Sequence, residues 1–373
     1  MPSLNEHCAR TLQVLESQQL RRNLRVSARV ADSAVMIEQE GRQFVSFACN
    51  DYLGLRNHPK VTAAGAVGAA TLGAGAGASR LVTGNHPLYA PLEEKLAVMK
   101  GAEAALVFGS GYLTNLGVIP ALLGKGDVIF ADKWVHACII DAAQLSGARL
   151  IRFRHNDMAH LAALLKEHRE ESPNALIVTD HVFSMDGDVA PLADIAALAE
   201  EYDCWTMADD AHGLGIVKAG VHIDLWMGTL SKAAGVYGGY IAGSRVLIDF
   251  LTTAARSFVF STGLPPALCA SAIAALEVMH AEPERGERAL ALAQRVTQAL
   301  GLPLAQSAIV PVLFGTAERA LAAAETLKEY GLLAVAIRPP TVPPNTARLR
   351  LAFSCEHTDA QVAALIAALQ GLM

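Results

Sequence analysis

Polar and reactive side chains directly follow five short apolar segments in the middle of the chain. The segments are AALVF, DVIFAD, ALIVTD, CWTMAD and DLWMG. The groups that follow them are Gly109–Tyr112, Lys133–His136, His181–Ser184, Asp210–His212 and Thr229–Lys232. In an open parallel sheet, ligands bind beyond the carboxyl ends of the strands. The spacing therefore predicts that all five groups face one crevice.

Together these groups contain the parts of a pyridoxal-phosphate site. Such a site needs a lysine that bonds to the cofactor, a carboxylate that keeps the ring nitrogen protonated, a phosphate cradle and a flat group against the ring. Lys232 is the candidate lysine and Asp209 is the candidate carboxylate. The Gly-Ser-Gly-Tyr turn is the candidate cradle, and His136 is the candidate flat partner. The combination favours pyridoxal-phosphate chemistry.

Each of these residues, taken singly, also has an ordinary structural explanation. A Gly-Ser-Gly turn is common, and a lone histidine such as His136 or His212 is usually a structural residue. A lysine after a strand is normally solvated, and an Asp-Asp pair most often caps the next helix. A nicotinamide-dependent dehydrogenase is the rival enzyme, but no G-x-G-x-x-G segment follows a strand. No HExxH segment or Cys/His/Asp spacing indicates a metal site.

Length and composition limit the class of protein. A chain of 373 residues with 52 % apolar residues predicts two domains and a large core, and only 18 % charged residues indicate a surface buried in an oligomer. The net charge of -6, without a basic run, argues against nucleic acid as a partner. The six cysteines form no CxxC pair, so a reducing cytoplasm is expected. No export signal or membrane span is predicted.

The pattern of apolar residues predicts an α/β fold with three parts. Between residues 104 and 243 apolar runs alternate with helical stretches, which is typical of a mostly parallel sheet covered by helices. A polar helical pattern over Gln13 to Arg29 predicts an arm helix, and two strands are expected at Ile309–Phe314 and Ala347–Phe353. The expected parts are an N-terminal arm at 1–45, a large domain at 46–250 and a small α+β domain at 251–373.

Eight segments, in order over nearly the whole chain, resemble the alpha-oxoamine synthase family of pyridoxal-phosphate enzymes. They are NDYLGL, GAGAGASRLVTGN, GSGYLTN, HVFSMDGD, DDAHGLG, GTLSKAAG, STGLPPA and RPPTVPPNTARLRL. The resemblance implies a fold-type-I transferase like aspartate aminotransferase. It also implies a homodimer with its active site at the subunit interface, which joins an amino acid to an acyl thioester.

Three segments, HND at His155, FSMDGDVAPL and especially RPPTVP, are most similar to family members that condense L-alanine with a pimeloyl thioester in biotin synthesis. The acyl donor in that case is either pimeloyl-CoA or a pimeloyl carrier protein, and the sequence leaves both open. The alternative within the family is a ligase that joins glycine to acetyl-CoA. A catalytically inactive partner subunit is a further alternative, but such subunits tend to lack the lysine that is present here as Lys232.

The resemblance assigns four catalytic roles. Lys232 would bond to pyridoxal phosphate, and Asp209 would pair with the pyridine nitrogen. His212 would contact the ring hydroxyl, and His136 would stack on the ring. Further cofactor contacts are implied for Gly111, Tyr112, Ser184, Thr229 and, across the interface to the phosphate of the neighbouring subunit, Thr262. Implied substrate contacts are Asn50 and Arg350 for the amino-acid carboxylate, and Arg21 and Thr341 for the acyl substrate.

The sequence departs from the family pattern at three places. After DDAHGLG, only about ten residues separate Gly215 from Leu225, where the family usually has a longer Gly-Arg-Gly segment. Tyr89 stands where a histidine is usual, and Asn345 stands where a glycine is usual. Asparagine tolerates positive φ better than most residues, so the last change is expected to be mild.

Overall fold

The computed structural model describes residues 1–18, 20–30 and 33–373. The helices are α1 Leu4–Ser17, α2 Pro59–Leu72, α3 Tyr89–Lys100, α4 Gly111–Leu122, α5 Ala137–Ser146, α6 Met158–His168, α7 Leu192–Glu201, α8 Arg245–Ala254, α9 Arg256–Val259, α10 Pro266–Ala281, α11 Glu284–Ala299, α12 Ala317–Glu329 and α13 Asp359–Gln370. The strands are β1 Ala28–Arg29, β2 Met36–Gln39, β3 Arg42–Ser46, β4 Ala104–Phe108, β5 Val128–Asp132, β6 Arg149–Phe153, β7 Ala175–Asp180, β8 Trp205–Asp209, β9 Leu225–Thr229, β10 Gly239–Gly243, β11 Ile309–Gly315, β12 Leu332–Leu333, β13 Val335–Ile337 and β14 Ala347–Ala352.

A seven-stranded sheet forms the centre of the molecule, in the order β4-β10-β9-β8-β7-β5-β6. Strands β6, β5, β7, β8 and β9 pair in parallel, and β10 runs antiparallel to both of its neighbours, β9 and β4. The predicted mostly parallel sheet is therefore confirmed. The carboxyl ends of the parallel strands meet at one edge, which places the residues that follow them close together.

Helices cover both faces of this sheet. One face packs on α3, α6, α7 and α10 through side chains such as Leu96, Leu165 and Ile195. The other face packs on α4, α5 and α8 through side chains such as Ile139 and Leu251. Because a parallel strand between two helical layers is buried on both sides, it is apolar at nearly every position. This burial on both faces explains why the segments that form the central strands are continuously apolar in the sequence.

Two smaller sheets lie outside the central one. Strands β11, β14 and β13 form an antiparallel sheet that packs with α11, α12 and α13 around its own core. The hairpin β2-β3 is extended by β1 and pairs in parallel with β12, so it connects the N-terminal part of the chain to the C-terminal part. Helix α10 packs closely on α2. We propose that α10 belongs with the large domain, beyond the boundary predicted at residue 250.

The predicted arm helix lies earlier in the chain than expected. The sequence pattern predicted a helix over Gln13 to Arg29, whereas α1 ends at Ser17. Ser3 and Glu6 form a reciprocal capping box that starts α1 at Leu4. Leu15 and Leu20 of the predicted apolar stripe are only partly buried, and Leu24 is fully exposed, so packing adds little stability to a longer helix. Gln19, within the predicted helix, lies outside the described residues.

In the described part of the chain, none of the helices combines the length and the apolar character that crossing a lipid bilayer requires.

Candidate active site

A cavity of about 270 Å³ lies at the carboxyl edge of the central sheet, and we call it the front cavity. Its walls come from the ends of β7, β8 and β9 and from the first turns of α4 and α5. Lys232, Asp209, His136 and His212 all line it. The structure therefore brings together the four residues for which catalytic roles were predicted. The roles themselves stay predictions.

Lys232 lies in the loop that follows β9. Burial lowers the pKa of the Lys232 amine, although the nearby Asp209 and Asp180 carboxyl groups act in the opposite direction. Among the described residues Lys232 forms no ion pair. A lysine that is buried without a counter-ion has a larger neutral fraction at neutral pH and is a better nucleophile. The loop fits tightly against its surroundings, because a Cβ on Gly235 would stand 2.4 Å from the Arg56 backbone nitrogen.

The Asp209 carboxylate is held in a fixed orientation. Asn115 Nδ2 donates a hydrogen bond to Asp209 Oδ2 at 3.0 Å, and the Ala211 backbone N–H donates to Asp209 Oδ1 at 3.0 Å. Asp209 itself is buried. Asp209 lines the front cavity, and its predicted pairing with a protonated ring nitrogen stays a prediction.

Asp180 is a cavity residue that sequence reasoning missed. It pairs with Asp209 across β7 and β8 and also lines the front cavity. Burial raises the pKa of Asp180 well above its ordinary value, and the neighbouring Asp209 raises it further. Its Oδ1 accepts the His136 N–H at 3.2 Å. A signal was present in the sequence, since ALIVTD and CWTMAD both end in an aspartate.

His136 is the N-cap of α5 and forms one wall of the front cavity. Its Nδ1 accepts a hydrogen bond from the Cys138 backbone N–H at 3.2 Å. The neutral ring therefore carries its proton on Nε2. Burial lowers the pKa of His136 and so favours the neutral form of the ring. The Asp209 carboxylate acts in the opposite direction but does not outweigh burial. A neutral imidazole is a flat partner for an aromatic ring and a hydrogen-bond donor.

His212 is also buried and neutral. Burial lowers the pKa of His212 well below its ordinary value, and the charges of Lys232 and Arg350 lower it further. Its Nδ1 lies 2.6 Å from the Tyr52 hydroxyl. Tyr52 was not predicted as a site residue, although it belongs to the NDYLGL segment.

Tyr52 connects His212 to the residues predicted to take the amino-acid carboxylate. Its hydroxyl lies 3.1 Å from Asn50 Oδ1, and Arg350 Nη2 donates to it at 3.5 Å. Arg350 Nη1 donates to Asn50 Oδ1 at 3.1 Å, and Arg350 Nε donates to the Ser184 carbonyl. Asn50 and Arg350 are thus in direct contact, and Ser184 takes part through its main chain. The Arg350 guanidinium is held by neutral acceptors.

The Gly-Ser-Gly turn leads into the N-terminus of α4. Ser110 caps this helix, and its Oγ accepts the Leu113 N–H at 3.2 Å. A Cβ on Gly239 would stand 2.5 Å from the Gly111 nitrogen, so the backbone approaches closely here. Backbone N–H groups in the first turn of a helix have no intrahelical partner and attract anions. Thr229, at the end of β9, also lines this part of the front cavity.

The residues around the front cavity therefore fit pyridoxal phosphate. They supply an unpaired lysine, an oriented carboxylate, a neutral flat histidine and a helix N-terminus, which are the four groups that the cofactor needs. Tyr112 lies at the rim, 44 % exposed, and its hydroxyl donates to Asp141. The hydrogen bond to Asp141, with burial, raises the pKa of Tyr112.

Asn50, Ser184 and Arg350 contact one another but do not line the front cavity, and three further predicted site residues lie apart from both groups. Arg21 is exposed and pairs with Glu16 at 2.8 Å. Thr341 is exposed, and its N–H donates to the Arg338 carbonyl. Thr262 forms an isolated bridge with Ser79 and lines a separate small cavity. No contact in the described part of the chain joins these residues to the four catalytic candidates, and their roles stay predictions.

Two residues that were expected to face the crevice point the other way. His181 and Asp210 each follow a residue that lines the front cavity, and alternate side chains of a strand point to opposite faces. His181 Nδ1 lies 2.5 Å from Asp210 Oδ1, and the Lys100 ammonium pairs with Asp210 Oδ2. We call Lys100, His181 and Asp210 the back cluster. The prediction that all five groups face one crevice was therefore wrong for these two residues.

The departures from the family pattern have visible consequences. The short segment after Gly215 contains no helix or strand before β9 and lines a cavity of about 1140 Å³. The Tyr89 hydroxyl accepts the Leu264 N–H at 2.5 Å, and the Arg80 guanidinium lies 3.7 Å from the centre of its ring. Asn345 has φ of 60°, as expected for a residue in a glycine position.

Comparisons with known proteins agree with this geometry. Residues 42–369 match the model of the family aminotransferase class I and II. A protein from Methylobacterium radiotolerans named 8-amino-7-oxononanoate synthase is 56 % identical over 372 residues, covering 100 % of this chain and 99 % of the relative. A protein of the same name from Methylorubrum extorquens is 58 % identical over 367 residues, covering 98 % and 95 %.

Serine palmitoyltransferase from S. paucimobilis, solved with a bound PLP-myriocin aldimine, has a similar structure. Its TM-score is 0.91 at 29 % sequence identity, and the match covers 98 % of this chain and 96 % of that chain.

Proposed function

The chain belongs to the aminotransferase class I and II family and is a fold-type-I pyridoxal-phosphate enzyme, and we propose that it condenses L-alanine with a pimeloyl thioester. The thiol of the acyl donor leaves, the alanine carboxylate is lost as carbon dioxide, and the product is 8-amino-7-oxononanoate, an intermediate of biotin synthesis. The main support for the proposal is that a lysine able to bond the cofactor lies near an arginine able to bind a carboxylate. The unpaired Lys232 shares the front cavity with Asp209 and lies close enough to Arg350 for the guanidinium to lower the pKa of the lysine.

Four side chains of the front cavity would hold the cofactor. Lys232 would bond to it, Asp209 would keep its ring nitrogen protonated, and His136 would lie against its ring. His212, neutral and held by Tyr52, would contact the ring hydroxyl. When bound, pyridoxal phosphate draws electrons away from the α-carbon of an amino acid and so stabilises a negative charge there.

Arg350 and Asn50 would bind the carboxylate of L-alanine. A guanidinium forms two parallel hydrogen bonds to a carboxylate, and buried pairs of this kind are strong. Arg350 is 7 % exposed, and within the described residues its side chain bonds to Asn50, Tyr52 and a main-chain carbonyl, all of them neutral. The positive charge of the Arg350 guanidinium would therefore be available to the carboxylate of L-alanine.

Two residues would move or hold protons during the reaction. Once the amine of L-alanine has taken its place, the freed Lys232 amine would remove the proton from the α-carbon, because a lowered pKa leaves it neutral and able to act as a base. His136 would donate a hydrogen bond from its Nε2–H to the oxygen of the new carbonyl group, as the hydrogen bond at Nδ1 favours that tautomer.

We further propose that the chain works as a homodimer. The relatives cover its whole length, and Thr262 lies outside the front cavity of its own chain, as a residue serving the neighbouring subunit would. A cytoplasmic location also stays a prediction. The dimer is tested by measuring the mass of the purified protein in solution.

The proposed reaction is tested with the purified protein loaded with pyridoxal phosphate. L-alanine, glycine and L-serine are each offered with pimeloyl-CoA, a pimeloyl carrier protein, acetyl-CoA and palmitoyl-CoA, and products are identified by mass spectrometry. We expect 8-amino-7-oxononanoate from L-alanine with one or both pimeloyl donors. Faster turnover of glycine with acetyl-CoA would instead favour the ligase alternative. The Lys232→Ala variant, in the same assays, is the control without catalysis.

A further inference from the structure

The back cluster holds one buried carboxylate between two donors. Asp210 has no solvent exposure, and it contacts the Lys100 ammonium and His181 Nδ1. Burial opposes ionisation of Asp210, but Lys100 and His181 together keep its pKa below the ordinary value. The Lys100 ammonium also lies 5.0 Å from the centre of the Trp226 ring. The cluster joins the ends of α3, β7 and β8.

The back cluster and the front cavity share the same short backbone segments. Asp180 pairs with Asp209 across β7 and β8, and the next residues, His181 and Asp210, bond to each other on the opposite side. The His181 N–H donates to the Asp209 carbonyl at 2.8 Å, and the Asp210 N–H donates to the Met227 carbonyl at 2.8 Å. A shift of Asp210 would therefore move Asp209 as well.

The turn that presents His212 rests directly on the back cluster. The Asp210 carbonyl accepts the N–H groups of Gly213 and Leu214, both at 3.3 Å. A Cβ on Gly213 would stand 2.2 Å from Asp210 Oδ1 and 2.8 Å from His181 Nδ1. Glycine is needed here because the backbone of the turn packs against the hydrogen bond between the two side chains.

We propose that Lys100, Asp210 and His181 are positioning residues that set the placement of Asp209 and His212 in the front cavity. The inference rests on the proposed roles of Asp209 and His212 in holding the cofactor. Removing one partner of a buried ion pair leaves an uncompensated charge, which the structure must relieve by movement or by protonation. In this chain, either movement or protonation would occur at Asp210, which is directly bonded to Asp209 along the chain.

The Lys100→Met variant tests this proposal, with Lys95→Met as its matched control. Lys95 lies on the same helix, α3, but its side chain is 38 % exposed and pairs with Glu277 at 3.0 Å on the surface. Two quantities are measured without substrate: the Kd of the apo-protein for pyridoxal phosphate, and the pH midpoint of the near-visible absorbance of the Lys232-bound cofactor. We expect Lys100→Met to raise the Kd by about tenfold and to shift the midpoint, since residues in one network are coupled. Lys95→Met should match the wild type.

Other variants separate positioning from simple support of the fold. Lys100→Arg, which keeps the charge, should restore both quantities toward the wild type. Gly213→Ala changes no charge, but its added methyl group would clash with the hydrogen bond between His181 and Asp210. It should therefore raise the Kd for pyridoxal phosphate, as Lys100→Met does. His181→Gln keeps a donor for Asp210 and should be milder than His181→Leu.

The proposal fails if Lys100→Met lowers the melting temperature but leaves both quantities equal to those of Lys95→Met. If Lys100→Met does not fold, Gly213→Ala and His181→Leu decide the matter by the same readouts. Neither readout uses L-alanine or a thioester, so an error in the proposed substrates would leave the result intact. An unchanged absorbance in Lys232→Ala would show instead that the cofactor site itself is misplaced.

Discussion

Two groups of buried charges lie at the same edge of the central sheet, on its opposite faces. In the back cluster, Lys100 pairs directly with Asp210, and His181 completes the pairing. In the front cavity, Lys232 has carboxylates nearby but no ion pair among the described residues, and burial lowers its pKa. A paired lysine keeps its proton and supports the structure, whereas an unpaired buried lysine is able to give its proton up. The presence of a carboxylate partner thus separates the structural cation from the reactive one.

The largest expected effect comes from removing the unpaired lysine. Lys232→Ala should lower the rate of product formation by at least about a thousandfold, because it removes both the cofactor bond and the base. Its melting temperature without cofactor should not fall below that of the wild type, since a buried unpaired amine is lost. Product formation and apo-protein melting are measured beside Lys95→Ala. A marked loss of stability would show that Lys232 is a structural cation after all.

The paired lysine should show the reverse behaviour in stability. Lys100→Met should lower the free energy of unfolding of the apo-protein by about 3 kcal/mol, because it leaves the Asp210 carboxylate buried with one partner fewer. Lys95→Met, which breaks an exposed pair, should cost about 0.5 kcal/mol. Urea unfolding measures both. Equal losses in the two variants would contradict the distinction between the clusters.

Arg350, whose charge acts on Lys232, extends the comparison to a second cation that is held by neutral partners. Arg350→Ala should raise the KM for L-alanine by about a hundredfold, because the carboxylate loses a charged bidentate partner. Arg350→Lys should be intermediate, since an ammonium lacks the planar fork. The Kd for pyridoxal phosphate should change much less than this KM. Equal losses in both quantities would argue against a carboxylate site.

Histidines show the same contrast through their pKa values. Burial would lower the pKa of His155, but hydrogen bonds from its ring to Asp132 and Asp188 raise it to about 9. His136 and His212, whose rings bond no carboxylate, have pKa values below the ordinary one. A carboxylate partner therefore decides the charge of a buried histidine as it does for lysine.

A pH series gives the smallest expected effect. The folded pKa of His155 lies above the unfolded value of about 6.5, so its stabilisation is complete below pH 6.5 and is lost as the pH rises through about 9. His155→Gln should therefore cost about 2 kcal/mol more unfolding free energy at pH 6 than at pH 10. Urea unfolding at both values is compared with His7→Gln on the exposed α1. The same cost at both pH values would show that His155 is neutral.

Sequence patterns predicted most of the central sheet, because strands buried between two helical layers are apolar throughout. They did not predict β12, whose two residues Leu332 and Leu333 pair with β3 without any local signal. The arm helix was misplaced, since no side chain of α1 is fully buried and Leu24, at the end of the predicted stripe, is exposed. Local propensity alone does not place the ends of a helix that buries no side chain.

The order of residue types along the chain was sufficient to indicate the chemistry. A lysine, an aspartate, a histidine and a glycine-rich turn, each after an apolar run, point to pyridoxal phosphate because parallel strands bring their carboxyl ends to one edge. Only the tertiary structure decided which of two adjacent residues faces the front cavity. A strand that is apolar on both faces does not reveal the phase of its alternation, so Asp180 was missed and Asp210 was assigned to the wrong face. The pairing that makes Lys100 structural and Lys232 reactive likewise depends on contacts between residues far apart in the chain.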